Sequence, residues 1–302
     1  MAILTTENLS KVYGERPVVD AVNLTVNEGE IYGFVGRNGA GKTTLIRILA
    51  GLAKKSSGAF SLFGISDSDR AIIDARRKVR TMVETATLHT DLTAEQNMTI
   101  QCKLLGESRD CIRPLLKDVE LEGTGKKTVK NFSLGMRQRL AIAMSMIGEP
   151  KLLLLDEPTN GLDPEGIFHV RELLVKLNRE HGVTMLVSSH ILTELAKFAT
   201  SYGFIERGRL LKQATAEQLN EECKNILRIK VGETELATKL LADRGYNFKT
   251  DINGIEIADA DSPNEIFSYL TSSGVTVQGF ENLGSDLERY FLKLIGGAYE
   301  AK

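Results

Sequence analysis

The sequence predicts an α/β chain: a mixed, largely parallel sheet with an antiparallel β part and a helical part, followed by a small α+β domain. Three observations carry the prediction. Short apolar strands alternate with amphipathic helices over the first two thirds of the chain, the pattern of a parallel sheet covered by helices. One of those strands runs straight into a glycine-rich turn and then a helix. A polar stretch near 215–225 separates this region from a run that reads β-α-β-β-α-β, the split βαβ order of a ferredoxin-like domain. The expected division is residues 1–215 and residues 225–302.

Element by element, Ile3–Leu9, Val18–Val26 and Glu30–Val35 are β-branched and partly alternating, with turns at Tyr13-Gly14-Glu15 and Asn27-Glu28-Gly29. After the glycine-rich turn, Leu45, Ile46, Ile48, Leu49 and Leu52 recur at helical spacing, the helix being ended by Gly51 and the following loop. Residues 93–147 read as mainly helical, with breaks at Gly106, Pro114 and Gly123–Gly125. Leu152–Leu155 is a continuous apolar run, as in a strand buried on both faces. Ile167, Val170, Leu173, Leu174 and Leu177 mark a helix, Thr184–Ser189 another buried strand, and a further helix starts at Ile191. A hairpin turns at Arg207-Gly208. Beyond 225 the expected order is strand Ile226–Val231, helix Glu235–Arg244, strands Phe248–Asp251 and Gly254–Ile257, helix Pro263–Ser272, strand Val275–Phe280 and a last helix Ser285–Leu294.

Composition narrows the function classes. The 302 residues are 42% apolar and 26% charged, as in ordinary globular proteins. The 38 basic and 40 acidic residues leave a net charge of −2, so no electrostatic footprint for nucleic acid is present. The three cysteines, Cys102, Cys111 and Cys223, form no C-x-x-C pair, which argues for plain thiols in a reducing cytosol. The first residues carry no basic head and apolar stretch, so no signal peptide is expected. Nothing approaches the run of about 20 apolar residues that a membrane helix needs. A cytoplasmic chain follows, and any membrane crossing falls to a separate protein.

Gly36-Arg37-Asn38-Gly39-Ala40-Gly41-Lys42-Thr43, followed by Thr44, satisfies G-x-x-x-x-G-K-[ST] between a strand and a helix. Its glycines let backbone N–H groups approach an anion without a Cβ in the way, and the helix behind adds its positive end. Lys42 supplies a point charge to the β- and γ-phosphates, and the Thr43 hydroxyl is a Mg²⁺ ligand. Asp156 and Glu157 emerge at the end of the leucine strand, where ligands sit in open α/β sheets. Asp156 can hold Mg²⁺, and Glu157 can orient or deprotonate water. The expected ligand is therefore Mg²⁺ with a nucleoside triphosphate.

Further motifs follow in order: Asn131-Phe132-Ser133-Leu134-Gly135-Met136-Arg137-Gln138-Arg139, then Glu157-Pro158-Thr159-Asn160-Gly161-Leu162-Asp163-Pro164, then Val187-Ser188-Ser189-His190. Over roughly residues 1–215 the chain resembles the nucleotide-binding domain of ABC transporters, with the signature, Walker B, D-loop and H-loop in sequence. The resemblance implies a P-loop ABC ATPase fold and ATP as the nucleotide. It implies a head-to-tail dimer of two copies around two ATP molecules, with Ser133 and Gly135 facing the γ-phosphate held by the other copy. Asp163 of the D-loop, His190 as a γ-phosphate contact and Tyr13 as an adenine-stacking aromatic are its other implied site residues. For Tyr13 a packed loop aromatic is the alternative. His89, His169 and His181 are expected at the surface.

Two departures from the family pattern stand out. Leu134 and Met136 occupy signature positions where glycine and glutamine are usual. Glu84 stands where the family usually has a glutamine that links Mg²⁺ and water to the membrane subunit, and ionised glutamate only accepts hydrogen bonds; a solvated loop residue is the alternative. With the FSLGMRQR signature, the EPTNGLDPEG run and the YFLKLIGG ending, Glu84 makes the chain similar to ATPases of bacitracin and lantibiotic self-protection exporters. Separate transmembrane permease subunits and a place on the inner face of the plasma membrane are implied. The type-two exporter branch also handles other drugs, polysaccharides and ions. A DNA-acting ABC ATPase would need a coiled coil between the Walker motifs, a ribosome-associated factor two ATPase domains, and a non-hydrolysing module would not keep Lys42, Asp156, Glu157 and His190. For the small C-terminal domain, a regulatory and a structural role both stay open, the structural one preferred.

Overall fold

The computed structural model describes residues 1–83, 88–222, 227–251, 254–258, 260, 262–282, 290–292 and 294–296. The chain divides into two compact units, Met1–Thr215 and Ala216–Lys302.

The first unit begins with β1 (Ala2–Tyr13), β2 (Arg16–Val22), β3 (Thr25–Asn27) and β4 (Ile31–Val35), and then α1 (Lys42–Leu49). The strand expected over 18–26 is two strands, because its partner changes. β2 pairs with the second half of β1 (Leu9↔Val22, Tyr13↔Arg16), whereas β3 pairs with the first half (Ala2↔Asn27, Thr5↔Thr25). At the crossing point the buried Thr6 hydroxyl bridges the two strands: it donates to Val22 O at 2.8 Å and accepts from Leu24 N at 2.8 Å, while Thr6 N donates to Leu24 O at 2.8 Å.

Next come β5 (Ser57–Leu62), β6 (Ile65–Ser66), α2 (Ile72–Arg77) and β7 (Val79–Met82), a stretch whose mixed patterning predicts no element. β1, β2, β3, β5 and β6 form an antiparallel sheet. The helices α3 (Ala94–Leu105), α4 (Ile112–Asp118) and α5 (Leu134–Ser145) follow. A full capping box at Thr93 and Gln96 starts α3, and Gly106 at φ 74° ends it. Pro114 is no break: it is the third residue of α4, in the first turn, where a missing N–H leaves no helix bond unmade.

The unit closes with β8 (Leu152–Asp156), α6 (Pro164–His181), β9 (Thr184–Ser189), α7 (Leu192–Leu195), β10 (Ser201–Glu206) and β11 (Arg209–Thr215). The central sheet runs β11-β10-β4-β9-β8-β7 and is parallel from β10 to β7, with β11 antiparallel at the edge. Every residue of β4, β8, β9 and β10 is buried, which is why these strands read as apolar runs rather than alternating ones. Leu45, Ile46, Ile48 and Leu49 of α1 join Phe34, Leu152, Leu154 and Leu186 in one core with the antiparallel sheet. That packing ties the turn between β4 and α1 to the sheet.

The second unit contains α8 (Ala216–Glu222), β12 (Leu227–Val231), α9 (Thr234–Asp243), β13 (Asn247–Asp251), β14 (Gly254–Ala258), α10 (Pro263–Ser272) and β15 (Val277–Asn282). Its antiparallel sheet is ordered β13-β14-β12-β15. Leu227, Ile229, Ile255 and Ile257 face Ala237, Leu241, Ile266 and Leu270 of the two helices in a separate core. Of the helix expected over 285–294, residues 285–289 and 293 lie outside the described residues. Among the described residues no helix is long and apolar enough to cross a membrane.

Candidate active site

The neighbouring parallel strands β4, β9 and β8 end on the same edge of the sheet, and the residues just past their C-terminal ends meet there. Gly36–Gly41 follows β4. Gly36 N donates to Ser189 O at 3.2 Å, and Gly208 N to Ala40 O at 2.8 Å. Gly39 and Gly41 sit at φ +80° and +109°, where only glycine is at ease. A Cβ on Gly36 would lie 2.5 Å from Ile205 O, and one on Gly41 2.4 Å from Val18 O. Two glycines are thus demanded by close backbone approach, quite apart from any ligand. Asn38 and Gly39 are exposed at the tip, Ala40 is buried, and Thr43 and Thr44 are half-buried at the start of α1.

Lys42 is 5% exposed, so its ammonium needs acceptors. It finds three: Gly36 O at 2.6 Å, Arg37 O at 3.3 Å and Glu157 Oε1 at 3.0 Å. The other oxygen of Glu157, Oε2, lies 2.7 Å from His190 Nδ1. An ionised Glu157 only accepts, so the shared proton belongs to Nδ1. Glu157 itself has φ +49°, an uncommon conformation for a side-chain-bearing residue. The neighbouring carboxylate is also held at both oxygens. Thr43 Oγ1 donates to Asp156 Oδ2 at 2.6 Å, and Ser188 Oγ donates to Asp156 Oδ1 at 2.6 Å. Because Thr43 gives its one proton to Asp156, it presents a lone pair outward beside that carboxylate. This is a hard-oxygen donor set of the kind that suits Mg²⁺.

Ser133 caps α5, accepting from Met136 N at 3.2 Å. Asp163 caps α6 in the same way, accepting from Gly166 N at 3.0 Å, and Pro164 takes the first helical position. The two helix starts share a cavity of about 450 Å³ whose walls include Ser133, Gly135, Asp163, Gly166 and His169 and no residue of the glycine loop. Gly135 is unobstructed: an added Cβ would find its nearest neighbour at 3.8 Å. Gln138 Nε2 donates to Pro158 O at 2.6 Å, and Thr159 Oγ1 to Glu194 Oε2 at 2.7 Å. Those bonds fasten the loop after β8 to α5 and α7.

Tyr13 ends β1 and is exposed, with the Lys11 ammonium 4.7 Å from its ring centre. Glu84 lies outside the described residues. Sequence reading thus reached every residue of the Lys42–Glu157–His190 chain and of the Thr43–Asp156 pair, but not that they join. It overlooked Ser188, which also accepts from Glu157 N at 3.0 Å; two serines in an otherwise apolar strand were the available signal. His169, expected at plain surface, lines the Ser133 cavity. His89 and His181 carry no part of the site.

A family model described as ABC transporter matches residues 19–160. The bacitracin transport ATP-binding protein BcrA of Bacillus licheniformis is 38% identical, over 98% of this chain and 98% of that one. This chain belongs to the ABC transporter ATP-binding family. The ABC ATPase reading of the fold is matched by a solved ATP-binding subunit of an ABC transporter, with TM-score 0.63 and 30% identity over 73% of this chain and 92% of that one. The lantibiotic transport ATP-binding protein SrtF of Streptococcus pyogenes is 44% identical over 69% of this ABC ATPase and 89% of its own length. A dimeric, post-hydrolysis structure of the ATP-binding cassette MJ0796 bound to ADP and Pi has TM-score 0.63 and 28% identity, covering 70% of this chain and 98% of that one.

Proposed function

We propose that two copies of this chain close around ATP, hydrolyse it, and so drive export of a peptide antibiotic or related drug through separate membrane subunits, from the cytoplasmic face of the membrane. The observation that carries the chemistry is the Lys42–Glu157–His190 chain lying beside the Thr43–Asp156–Ser188 chain at the ends of three adjacent strands. The choice of cargo is supported by the relatives, which are named for bacitracin transport and lantibiotic transport.

In this reading Tyr13 stacks on adenine, and the N–H groups from Gly36 to Thr44, Asn38 among them, surround the phosphates. Lys42 already spends its three N–H bonds on two loop carbonyls and Glu157. Phosphate oxygens compete with Glu157 for that ammonium, and the exchange releases Glu157 Oε1 towards water. Glu157 then takes a proton from water as its oxygen bonds to the γ-phosphorus and the bond to the β-phosphate oxygen breaks, leaving ADP and phosphate. His190 Nδ1 holds the far oxygen of Glu157, fixing the direction in which the near one points. Thr43 and Asp156 are the residues that would hold Mg²⁺, with Glu84 as a further candidate; when bound, the ion would supply charge neutralisation for the β- and γ-phosphates. Ser133 and Gly135 serve the γ-phosphate of the other copy, with Asp163 ordering the facing helix start. The absence of any glycine-loop residue from the Ser133 cavity supports a contribution from a second chain.

The test is light scattering after size exclusion on Glu157→Gln, with and without ATP, beside phosphate release by the wild type. An ATP-dependent dimer of the variant, with turnover in the wild type, is the expected result. Turnover by a strict monomer would overturn the roles of Ser133 and Gly135.

A further inference from the structure

We propose that Ser188 is a positioning residue for hydrolysis: one hydroxyl sets both the Asp156 carboxylate and the backbone of Glu157. The inference rests on the reading of Glu157 as the base. Asp156 and Ser188 are register partners in the parallel pair β8–β9, which brings the hydroxyl beside both acidic residues. Ser188 Oγ donates to Asp156 Oδ1 at 2.6 Å and accepts from Glu157 N at 3.0 Å. Its proton and a lone pair are therefore both used. Ser188 is fully buried among Met185, Leu186 and Val187 on the same strand, and a hydroxyl is tolerated in such surroundings when its hydrogen bonds are made.

The geometry decides what that hydroxyl does. Thr43 holds only one oxygen of Asp156, so the carboxylate could still swing about that contact; the bond from Ser188 to the other oxygen stops the swing. Glu157 stands at φ +49°, a conformation that persists where its surroundings impose it. The bond from Glu157 N to Ser188 Oγ is one such restraint; the bond from Asn160 N to Glu157 O at 3.1 Å and the Lys42 and His190 contacts on the side chain are others. Ser188 is the group that touches both carboxylate residues at once, so the metal-holding side chain and the base are placed by a common support. A displacement of the base by about 1 Å is enough to cost two orders of magnitude in rate.

Ser188→Ala removes the bridging oxygen, and Ser188→Thr retains it. Turnover and KM for MgATP are measured well below the melting temperature of each variant, with wild type and Lys42→Ala as controls. The expected result for Ser188→Ala is a kcat lower by tenfold or more, with KM changed less than threefold, and recovery by Ser188→Thr to within threefold of wild type. A crystal structure of Ser188→Ala is expected to show Glu157 out of the left-handed region or its carboxylate away from Lys42 and His190. The proposal is overturned if Ser188→Ala turns over within twofold of wild type, if a stably folded Ser188→Thr is as slow as Ser188→Ala, or if the Ser188→Ala crystal structure leaves both acidic residues in place. A wild type that releases no phosphate from MgATP would instead remove the hydrolytic reading, and the crystal structure would still decide whether Ser188 places Asp156 and Glu157.

Discussion

Replacing Glu157 separates its electrostatic work from the chemical work proposed for it. The side chain is 19% exposed and sits 3.0 Å from an ammonium that is 5% exposed. In Glu157→Gln the amide oxygen takes the place of Oε1, so Lys42 keeps three acceptors and loses one unit of opposing charge. The bond from the Lys42 ammonium to the amide oxygen is still charge-assisted and only the ion-pair attraction is lost, which for a partly exposed pair is about 1 kcal/mol of stability. Glu157→Ala leaves the ammonium with the two loop carbonyls alone. Breaking a fully buried pair costs about 3–5 kcal/mol; the partial exposure of Glu157 and the remaining carbonyls reduce this to about 2–3 kcal/mol. Turnover should order the variants differently. A general base contributes about 10²–10⁴-fold, or about 3–5 kcal/mol of barrier, and Gln and Ala lack it equally. Urea melts of the three proteins, with single-turnover phosphate release at saturating MgATP, test both halves. Release by Glu157→Gln within tenfold of wild type would refute Glu157 as the base. A Gln variant as unstable as the Ala variant would refute the account of Lys42.

Three more predictions concern the glycine loop and two groups elsewhere in the first unit. Gly41→Ala, at φ +109° with the new Cβ 2.4 Å from Val18 O, should lose about 3 kcal/mol or more in a thermal melt, whereas Gly39→Ala, at φ +80° with nothing within 4 Å, should lose about 1–2 kcal/mol. Burial pushes the Asp67 carboxyl up, but hydrogen bonds from Lys55 and Phe60 N and the charges of Lys55 and Arg76 outweigh it and hold it below the ordinary value. A depressed folded pKa stabilises above the unfolded value of about 3.9 and ceases to as pH falls through the folded one. Asp67→Asn should therefore be less stable than wild type at neutral pH, with the two curves converging in acid. Burial, together with a hydrogen bond to Cys111 3.9 Å away, pushes the Cys102 thiol up to about 11. Alkylation at pH 8 read by peptide mass spectrometry should accordingly label Cys111 well before Cys102.

The residues proposed to carry the chemistry were legible because phosphate binding needs local features that sequence states directly. A strand, a glycine turn and a helix must be contiguous to present N–H groups to an anion, so Gly36–Thr43 announces itself. The Leu152–Leu155 run declares a strand buried on both faces, and the carboxylates at its end follow. The second unit was legible for a similar reason: its β12–β15 elements are short and bounded by turns at Gly232, Gly245 and Gly274. The stretch from Ser57 to Met82 was not. β5 is defined by pairing with β1 more than fifty residues earlier for most of its length, and β7 by pairing with β8 more than seventy residues later, so its residues carry little local pattern of their own. The division of residues 18–26 into β2 and β3 was hidden too, because a change of partner along β1 leaves the propensity of the strand untouched.

By itself, then, the sequence determined the parts of the candidate site: a glycine-rich turn, a lysine, a hydroxyl, two carboxylates and a histidine, in family order. Tertiary structure decided how they act together. β4, β8 and β9 are far apart in the chain, and parallel register alone puts Lys42, Glu157 and His190 in one hydrogen-bonded chain and sets Ser188 level with Asp156. Such contacts follow from strand order and shift, properties of the assembled sheet, and no spacing between residues along the chain encodes them.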